Sequence, residues 1–208
     1  MPDLGPSRRS FVMGACALAA GAAVGGVACA FSSGSANDAL RPPGSVSEKD
    51  FMALCIRCER CISVCPEDVL EPIGIEGGWK VRTPRLSFLE GSCTFCDLCR
   101  EVCPTAAVRE VDPYRPDLGR IGVAVVWEDR CLAYTQAGSC GICVDACPYH
   151  AMSFDDERHP VVDDSLCNGC GECERICPAN VFTSFSGGLA RGIEILTEEE
   201  FEKRRDAV

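Results

Sequence analysis

Sixteen of the eighteen cysteines fall into four groups of similar spacing. The clearest group is Cys167-Asn-Gly-Cys170-Gly-Glu-Cys173-Glu-Arg-Ile-Cys177-Pro178, which has three thiols at steps of three and a fourth that precedes proline. This spacing is typical of cysteines that bind [4Fe-4S] clusters, and the fourth cysteine of such a run ligates a second cluster. One run therefore implies another.

The chain supplies three further groups that end in Cys-Pro. The first cysteines of the four motifs are 38, 38 and 36 residues apart, which indicates a fourfold internal repeat. The sequence therefore predicts a polyferredoxin with up to four [4Fe-4S] clusters. The candidate iron ligands are Cys55, Cys58, Cys61 and Cys65 in motif 1, Cys93, Cys96, Cys99 and Cys103 in motif 2, Cys131, Cys140, Cys143 and Cys147 in motif 3, and Cys167, Cys170, Cys173 and Cys177 in motif 4.

The exchange of a fourth cysteine between motifs has two solutions. Motif 1 could pair with motif 2 and motif 3 with motif 4, or motif 1 could pair with motif 4 and motif 2 with motif 3. All sixteen cysteines are ligands in either arrangement, so the sequence leaves the pairing open.

Zinc and disulfide bonds are the alternative uses of so many cysteines. Structural zinc draws two ligands from each of two Cys-x-x-Cys knuckles, whereas each motif here offers three closely spaced thiols plus Cys-Pro. A disulfide scaffold would suit a small exported protein, but such frameworks seldom repeat one spacing four times. Iron-sulfur clusters are the favoured interpretation.

Motif 3 departs from the others because eight residues separate Cys131 from Cys140, where the other motifs have two. We expect Cys131 to remain a ligand, since the 38-residue period lands on it. The longer loop could make its cluster an exposed docking face. Tyr134 and Gln136 are then candidate partner contacts, although ordinary loop residues are the simpler interpretation.

The segments around the motifs must position these thiols. We expect an α+β fold of tandem bacterial-ferredoxin-like βαββαβ modules with little regular secondary structure. Helices are predicted to begin at Pro66, Pro104, Pro148 and Pro178, because proline suits a first helical turn. Predicted strands are residues 121–127, 152–154 with 161–162, and 181–185 with 191–196.

Residues 1–31 are predicted to be a twin-arginine (Tat) export signal. Ser7-Arg8-Arg9-Ser10-Phe11 precedes an uncharged stretch, residues 12–31, that is dominated by Ala and Gly. The same stretch is long enough to act as an uncleaved membrane anchor. Cys16 and Cys29 lie within it and are interpreted as apolar residues of the signal rather than as ligands.

The remaining chain divides into three predicted parts. Residues 32–50 are predicted to be a linker. Its part rich in Ser, Gly and Pro, which includes Arg41-Pro42-Pro43-Gly44, is expected to be exposed. Residues 51–196 are the four-motif region. Thr197-Glu-Glu-Glu200 resembles a capping box and predicts a charged helix over residues 197–208. Large core residues are scarce, so we expect cluster loading and folding to be one event.

Charge and composition exclude several functions. A formal net charge of −11 disfavours nucleic acid and anionic lipid as partners, and could steer the chain toward a basic face on a redox partner. His150 and His159 stand apart from each other and from any nucleophile, and no dinucleotide-binding or P-loop motif occurs. We therefore expect no catalytic site on this chain.

Several of these features together resemble one family. The twin-arginine leader, the Arg41-Pro42-Pro43-Gly44 segment, Cys55-Ile-Arg-Cys58 soon after it and four cubane motifs are similar to the NapG/MauM ferredoxin-type proteins. The resemblance covers the whole chain and implies that all sixteen motif cysteines are cluster ligands. It also implies a membrane-bound iron-sulfur partner of the NapH type, with electrons passing from quinol toward periplasmic nitrate reductase. Some members instead accompany methylamine oxidation.

Three functional hypotheses follow. The leading one is an electron relay in the periplasm or at the outer face of the cytoplasmic membrane, held there through its partner or an uncleaved signal. It would carry electrons from a quinol-oxidising membrane protein to a periplasmic reductase or cytochrome acceptor. The second is an electron-transfer subunit of an exported molybdenum oxidoreductase. The third is a non-redox scaffold or maturation factor whose clusters only hold the fold.

Overall fold

The computed structural model describes residues 39–115, 119–136, 140–179 and 191–206. The predicted export signal and the predicted strand at residues 181–185 lie outside these ranges. Among the described residues, no helix combines the length and the apolar character that a membrane span requires.

Short antiparallel strand pairs form the sheets of the described chain. The pairs are β1 Leu70–Pro72 with β2 Pro84–Leu86, β3 Val123–Val126 with β6 Ile193–Leu196, and β4 Met152–Phe154 with β5 Pro160–Val162. The helices are equally short. They are Glu48–Leu54, Arg60–Val64, Leu98–Glu101, Leu132–Thr135, Ile142–Asp145, Glu172–Arg175 and Glu198–Arg205. The predicted mixture of helices with small sheets, an α+β fold, is confirmed.

The strand pairs follow the internal repeat. We call residues 120–196 the second module, in which β3 and β6 are the outer pair and β4 and β5 lie between motifs 3 and 4. We call residues 39–73 with 82–112 the first module, in which β1 and β2 lie between motifs 1 and 2. Its outer pair is reduced to a single bridge between Ser45 and Val108. The two halves therefore share an order of elements without having identical sheets.

Residues Gly74–Val81 form a unit apart from the rest of the described chain and are considered by themselves. They contain a 3-10 helix, Ile75–Lys80, with a kink at Gly78, whose φ is 56°. Gly74 starts this turn, and its backbone N–H donates to the Glu76 carboxylate.

In motifs 1 to 3 a helix lies before Cys-Pro and not after it, which corrects the helix starts predicted at Pro66, Pro104 and Pro148. The residues following these three prolines form turns, whereas Ala179, directly after Pro178, is helical and the residues beyond it lie outside the described chain. The helical turn instead spans the residues between the third and fourth cysteines, as in Arg60–Val64. The reason is that the fourth cysteine must return toward the same face as the third, which one helical turn achieves.

The strand predictions were met in part. β3 falls inside residues 121–127, and β4 and β5 form the hairpin that was predicted from residues 152–154 with 161–162. β6 falls inside residues 191–196, but it pairs with β3, from the start of the second module, and the register places Val123 opposite Leu196. β6 buries alternate apolar side chains and β3 buries three in succession, so long-range burial favours this pairing.

The segment predicted to be an exposed linker is packed where it contains arginine and proline. Residues 41–44 are buried, and the Arg41 guanidinium donates to Glu48, to the Thr83 hydroxyl and to the Pro84 carbonyl. It also stacks 4.8 Å from the centre of the Phe51 ring. A buried arginine needs such partners, and they anchor the start of the described chain to the first module.

The C-terminal helix Glu198–Arg205 has the predicted capping box. The Thr197 hydroxyl accepts from the Glu200 backbone N–H, and the Glu200 carboxylate accepts from the Thr197 backbone N–H. Acidic residues in the first turn and basic residues in the last turn also complement the helix dipole.

The two modules meet at motifs 2 and 4. The Cys93 backbone N–H donates to the Cys170 carbonyl at 2.8 Å, and the Arg191 side chain donates to the Leu89 carbonyl at 3.1 Å. Phe88, which is 2% exposed, lies directly against Gly171. Gly171 has a φ of 82°, and a Cβ there would sit only 2.1 Å from the Phe88 ring. The junction therefore requires glycine at this position.

We expect Gly171→Ala to destabilise the holoprotein by about 1–3 kcal/mol through overpacking, in addition to about 1 kcal/mol of backbone strain. The measurement is the midpoint of chemical denaturation of the loaded protein. Gly78→Ala is the control for backbone strain without a close contact, because Gly78 has a positive φ, with a ψ of −119° against 1° at Gly171, and open space around its Cβ position. A loss at Gly171 no larger than the ~1 kcal/mol that backbone strain alone costs would contradict a packing role for Gly171.

Candidate metal centres

The sixteen described cysteines are free thiols, and they gather around four hollows. We name the hollows by their thiols. Site A has Cys55, Cys58, Cys61 and Cys103; site B has Cys65, Cys93, Cys96 and Cys99; site C has Cys147, Cys167, Cys170 and Cys173; and site D has Cys131, Cys140, Cys143 and Cys177.

Each site takes three thiols from one motif and the fourth from its neighbour in the sequence. Motif 1 exchanges its fourth cysteine with motif 2, and motif 3 exchanges with motif 4. Of the two pairings that the sequence left open, the geometry selects the sequential one. Each module thus carries two sites built by the same exchange.

A helical turn explains how neighbouring cysteines reach different sites. Cys61 lies in the helix Arg60–Val64 and Cys65 is its C-terminal cap, so the two thiols are four residues apart. Residues at this spacing share a helix face and are separated by a rise of about 6 Å. Cys61 therefore faces site A while Cys65 reaches site B. The helix Leu98–Glu101 does the same for Cys99 and Cys103.

The loops between the first and third cysteines share one backbone conformation in motifs 1, 2 and 4. The second and fourth residues after the first cysteine all have positive φ. These angles are 57° and 61° at Arg57 and Glu59, 53° and 64° at Phe95 and Asp97, and 75° and 82° at Gly169 and Gly171. Only motif 4 uses glycine there, so motifs 1 and 2 accept strain of about 1–2 kcal/mol per residue. Such strain persists only when the surrounding structure enforces it.

Motif 3 also brings its cysteines to one site, but with a different backbone conformation. Cys131 caps the short helix Leu132–Thr135, is buried, and lies at site D with Cys140, Cys143 and Cys177. The structure thus brings Cys131 together with the thiols that the sequence assigned to it, despite the long loop. Residues 137–139 of that loop lie outside the described chain.

The candidate contact residues beside site D have ordinary partners. The Tyr134 ring stacks on His159 with 4.0 Å between centroids and 10° between planes. His159 Nδ1 lies 3.3 Å from the Asp155 carboxylate. Burial raises the pKa of Tyr134, and the nearby Glu128 and Asp155 carboxylates add to the shift. The surroundings of site D are therefore acidic.

Burial strongly favours the protonated form of many thiols. It raises the pKa of Cys61 to about 11 and the pKa values of Cys93, Cys99, Cys143 and Cys170 to about 12, with neighbouring thiols adding to each shift. The pKa of Cys173 is raised well above its ordinary value for the same reasons. Iron bound at these sulfurs would supply the positive charge that makes the thiolate form favourable.

Hydrogen bonds oppose this effect at particular sulfurs. At Cys103 burial acts to raise the pKa, but the backbone N–H and hydroxyl of Thr105 and the N–H groups of Val108 and Ala107 together lower it. At site C, the Ala124 N–H donates to Cys167 Sγ at 3.4 Å and the Ala151 N–H to Cys147 Sγ at 3.3 Å. Such donors stabilise negative charge on a cluster and tune its potential.

The hollows fit inorganic clusters. Four thiols line each hollow, and apolar residues form most of its walls. In the described residues, no three His, Cys, Asp or Glu side chains converge on a point where one metal ion could bind. Four thiols around a hollow match separate iron corners better than a single zinc ion.

Contacts between the sites connect them in one order. Cys99 of site B interacts electrostatically with Cys61 of site A, and Cys173 of site C with Cys143 of site D. Sites B and C are joined across the module junction by the backbone hydrogen bond from Cys93 to Cys170. The described contacts therefore run from A to B to C to D.

Tyr149 lies at the centre of this path. Its ring meets Phe95 of site B edge to face, with centroids 6.0 Å apart, and it interacts with Cys170 and Cys93 from two different sites. Burial raises the pKa of Tyr149 to about 12, so its hydroxyl stays protonated and its negative form is avoided beside the thiols. Phe95 and Tyr149 together cover the gap between the inner sites with aromatic surface.

Two features of these sites, the backbone conformation of their loops and the position of Tyr149, were not predicted from the sequence. The positive φ values at Arg57 and Phe95 gave no signal, because neither residue type favours that conformation. Tyr149 could have been singled out by its place directly after Cys147-Pro148, but its neighbour Phe95 belongs to the other module. Phe95 itself lines site B.

The fold and the thiol groups define an iron-sulfur protein of the ferredoxin type. The chain matches a 4Fe-4S dicluster domain at residues 54–107 and again at 138–181. It is 33% identical over 189 residues to the ferredoxin-type protein NapG of Escherichia coli (strain K12), covering 82% of this chain and 80% of that protein.

Two further relatives support the same assignment. The methylamine utilization ferredoxin-type protein MauM of Methylobacillus flagellatus is 36% identical over 66% of this chain and 63% of that protein. The ferredoxin-type protein NapF of Escherichia coli (strain K12) is 33% identical over 72% of this chain and 86% of that protein. The chain belongs to the NapG/MauM family of ferredoxin-type proteins, as its motifs predicted. This membership supports a role as an electron carrier that works with redox partners.

We expect Cys131→Ala to disrupt one cluster only. Its site would lose one of four thiols. The iron content, about sixteen atoms per chain in the parent, should therefore decrease by between about one and about four atoms. If the cluster survives with three irons, a [3Fe-4S] signal should appear. Iron analysis and electron paramagnetic resonance (EPR) of anaerobically prepared protein measure this. Cys29→Ser is the control and should retain all the iron. Unchanged iron in Cys131→Ala would remove Cys131 from site D.

We expect cluster assembly to weaken as the pH falls. Below their raised pKa values the thiols are protonated, and iron must displace those protons, so iron uptake should be greater at about pH 8.5 than at about pH 6.5. Proton release is measured in weakly buffered anaerobic solution during addition of iron and sulfide. Addition of iron and sulfide to the protein with alkylated thiols gives the background proton release. Iron uptake that is independent of pH would contradict this expectation.

Proposed function

We propose that this chain is an exported relay that carries four [4Fe-4S] clusters, one at each of sites A to D. All sixteen motif cysteines are the iron ligands in this proposal. The observation that carries it is the continuous order of contacts from site A to site D, because an electron carrier needs closely spaced centres. Four isolated structural clusters would have no need of such an order.

Each site holds its cluster through thiolates, and a bound cluster supplies one-electron chemistry with little change of geometry. The chain's own residues fix the positions of the centres, exclude water and supply N–H donors to sulfur. Apolar walls around the sites, including Phe51 at site A and Ile193 at site D, keep solvent away. These surroundings set potentials within the broad range open to such clusters.

The proposed path begins at a quinol-oxidising membrane protein of the NapH type and ends at a periplasmic reductase or cytochrome. Family membership supports an electron-carrier role with redox partners, and the twin-arginine sequence of residues 7–11 supports export after cluster insertion. Nitrate reductase is one candidate acceptor in this proposal. The protein would lie in the periplasm or at the outer face of the cytoplasmic membrane.

Affinity isolation of the tagged protein from anaerobically solubilised cells tests this function. We expect about sixteen iron atoms per chain, clusters that dithionite reduces reversibly, and a polytopic membrane iron-sulfur protein among the partners identified by mass spectrometry. A large molybdenum subunit recovered in fixed ratio would instead favour an oxidoreductase subunit. Absence of iron, or clusters that cannot be reduced, would overturn the electron-relay proposal.

A further inference from the structure

The loop that covers site A differs in charge from the chain as a whole. The loop, residues 54–60, places Ile56, Arg57 and Arg60 on the wall of this site. All three are exposed, and Ile56 is 63% exposed. Arg82, which is 65% exposed, adds a further positive charge beside the loop through its 2.9 Å ion pair with Glu59. The loop and Arg82 therefore carry three arginines and one acidic residue in a chain of net charge −11.

An apolar residue stands at the centre of this charged loop. Ile56 directly follows one site A thiol and lies two residues before Cys58, which is itself exposed. Leu54, at the end of the preceding helix, is 39% exposed. An exposed apolar centre with a charged rim is the usual anatomy of a transient protein interface. A partner seated on Ile56 would come close to the iron of site A.

The opposite end of the path has more carboxylates near its site. Glu128 and Asp155 act on Tyr134 beside site D, and Asp129, which is 76% exposed, lies 3.9 Å from Arg130. Sites B and C lie between the two ends. The order of the sites and the distribution of charge thus give the two ends of the path different electrostatic character.

From this geometry we propose that the loop over site A, residues 54–60, is the docking surface for an acidic redox protein that exchanges electrons at site A. This inference rests on the proposed function. It adds that the site A end of the relay binds an acidic partner. An outer loop of a membrane protein fits this description where its carboxylates outnumber its cations, because lysine and arginine concentrate on the cytoplasmic side. Arg57, Arg60 and Arg82 would steer an acidic face toward the iron, while the acidic end would repel it.

The test uses flavodoxin hydroquinone, an acidic one-electron donor, with the loaded full-length protein in a stopped-flow spectrometer. We expect the second-order rate constant of reduction to fall about tenfold from low to high salt, because steering of this kind is screened within about 10 Å at 0.1 M. The double variant Arg57→Glu with Arg60→Glu should react at least about tenfold more slowly at low salt and lose the salt dependence.

Two variants separate local docking from overall charge and from folding. Arg158→Glu with Arg205→Glu makes the same change in net charge at exposed residues outside the loop, and its rate constant should stay within about twofold of the parent. Arg57→Lys with Arg60→Lys keeps the charge and should retain most of the rate. An equal loss in both glutamate variants, or a parent rate that rises with salt, would overturn the docking surface.

Iron content and reduction by dithionite are measured on every sample. Loss of either in the parent protein would count against the electron-relay function itself. Full iron and full reduction, together with a flavodoxin rate that the loop variants leave unchanged, would overturn only the docking proposal. The two failures are therefore distinguishable.

Discussion

The exchange of cysteines across one helical turn is the constraint on which this fold depends. Cys61 and Cys65 lie four residues apart, yet they belong to sites A and B. The rise of about 6 Å over that turn keeps two sites close together in each module. The strands, the turns after Cys-Pro and the strained loops all serve to return the chain to these positions. The buried thiols belong to the same core cluster as Phe51 and Phe88, so metal sites and hydrophobic core are one structure.

The junction between modules turns two pairs of sites into one path. A single backbone hydrogen bond joins Cys93 to Cys170, and the close approach of Phe88 to Gly171 leaves no room for a side chain at the glycine. Tyr149 fills the remaining space against Phe95. Continuity between the inner sites therefore rests on tight packing, which is sensitive to a single methyl group.

Electrostatics distinguishes the two ends of that path. Burial penalises charge on the thiols, so bound iron and hydrogen-bond donors such as those around Cys103 must offset the cost. Outside the sites, Arg57 and Arg60 lie on the wall of site A, whereas the carboxylates of Glu128 and Asp155 lie near site D. An electron carrier whose two ends differ in charge can bind a different partner at each end, since repulsion between like charges disfavours binding of the wrong partner.

The sequence by itself determined the chemistry, because metal ligation depends on residue type and local spacing. The sixteen thiols, the α+β class, the β4–β5 hairpin and the capping box at Thr197 were all predictable from neighbouring residues. Only the tertiary structure decided what depends on distant contacts. In the structure the motifs pair sequentially and β6 pairs with β3. Arg41 is buried against Glu48, and helices precede Cys-Pro. Local spacing is equally compatible with several arrangements of the four motifs, and packing between residues far apart in the chain selects one.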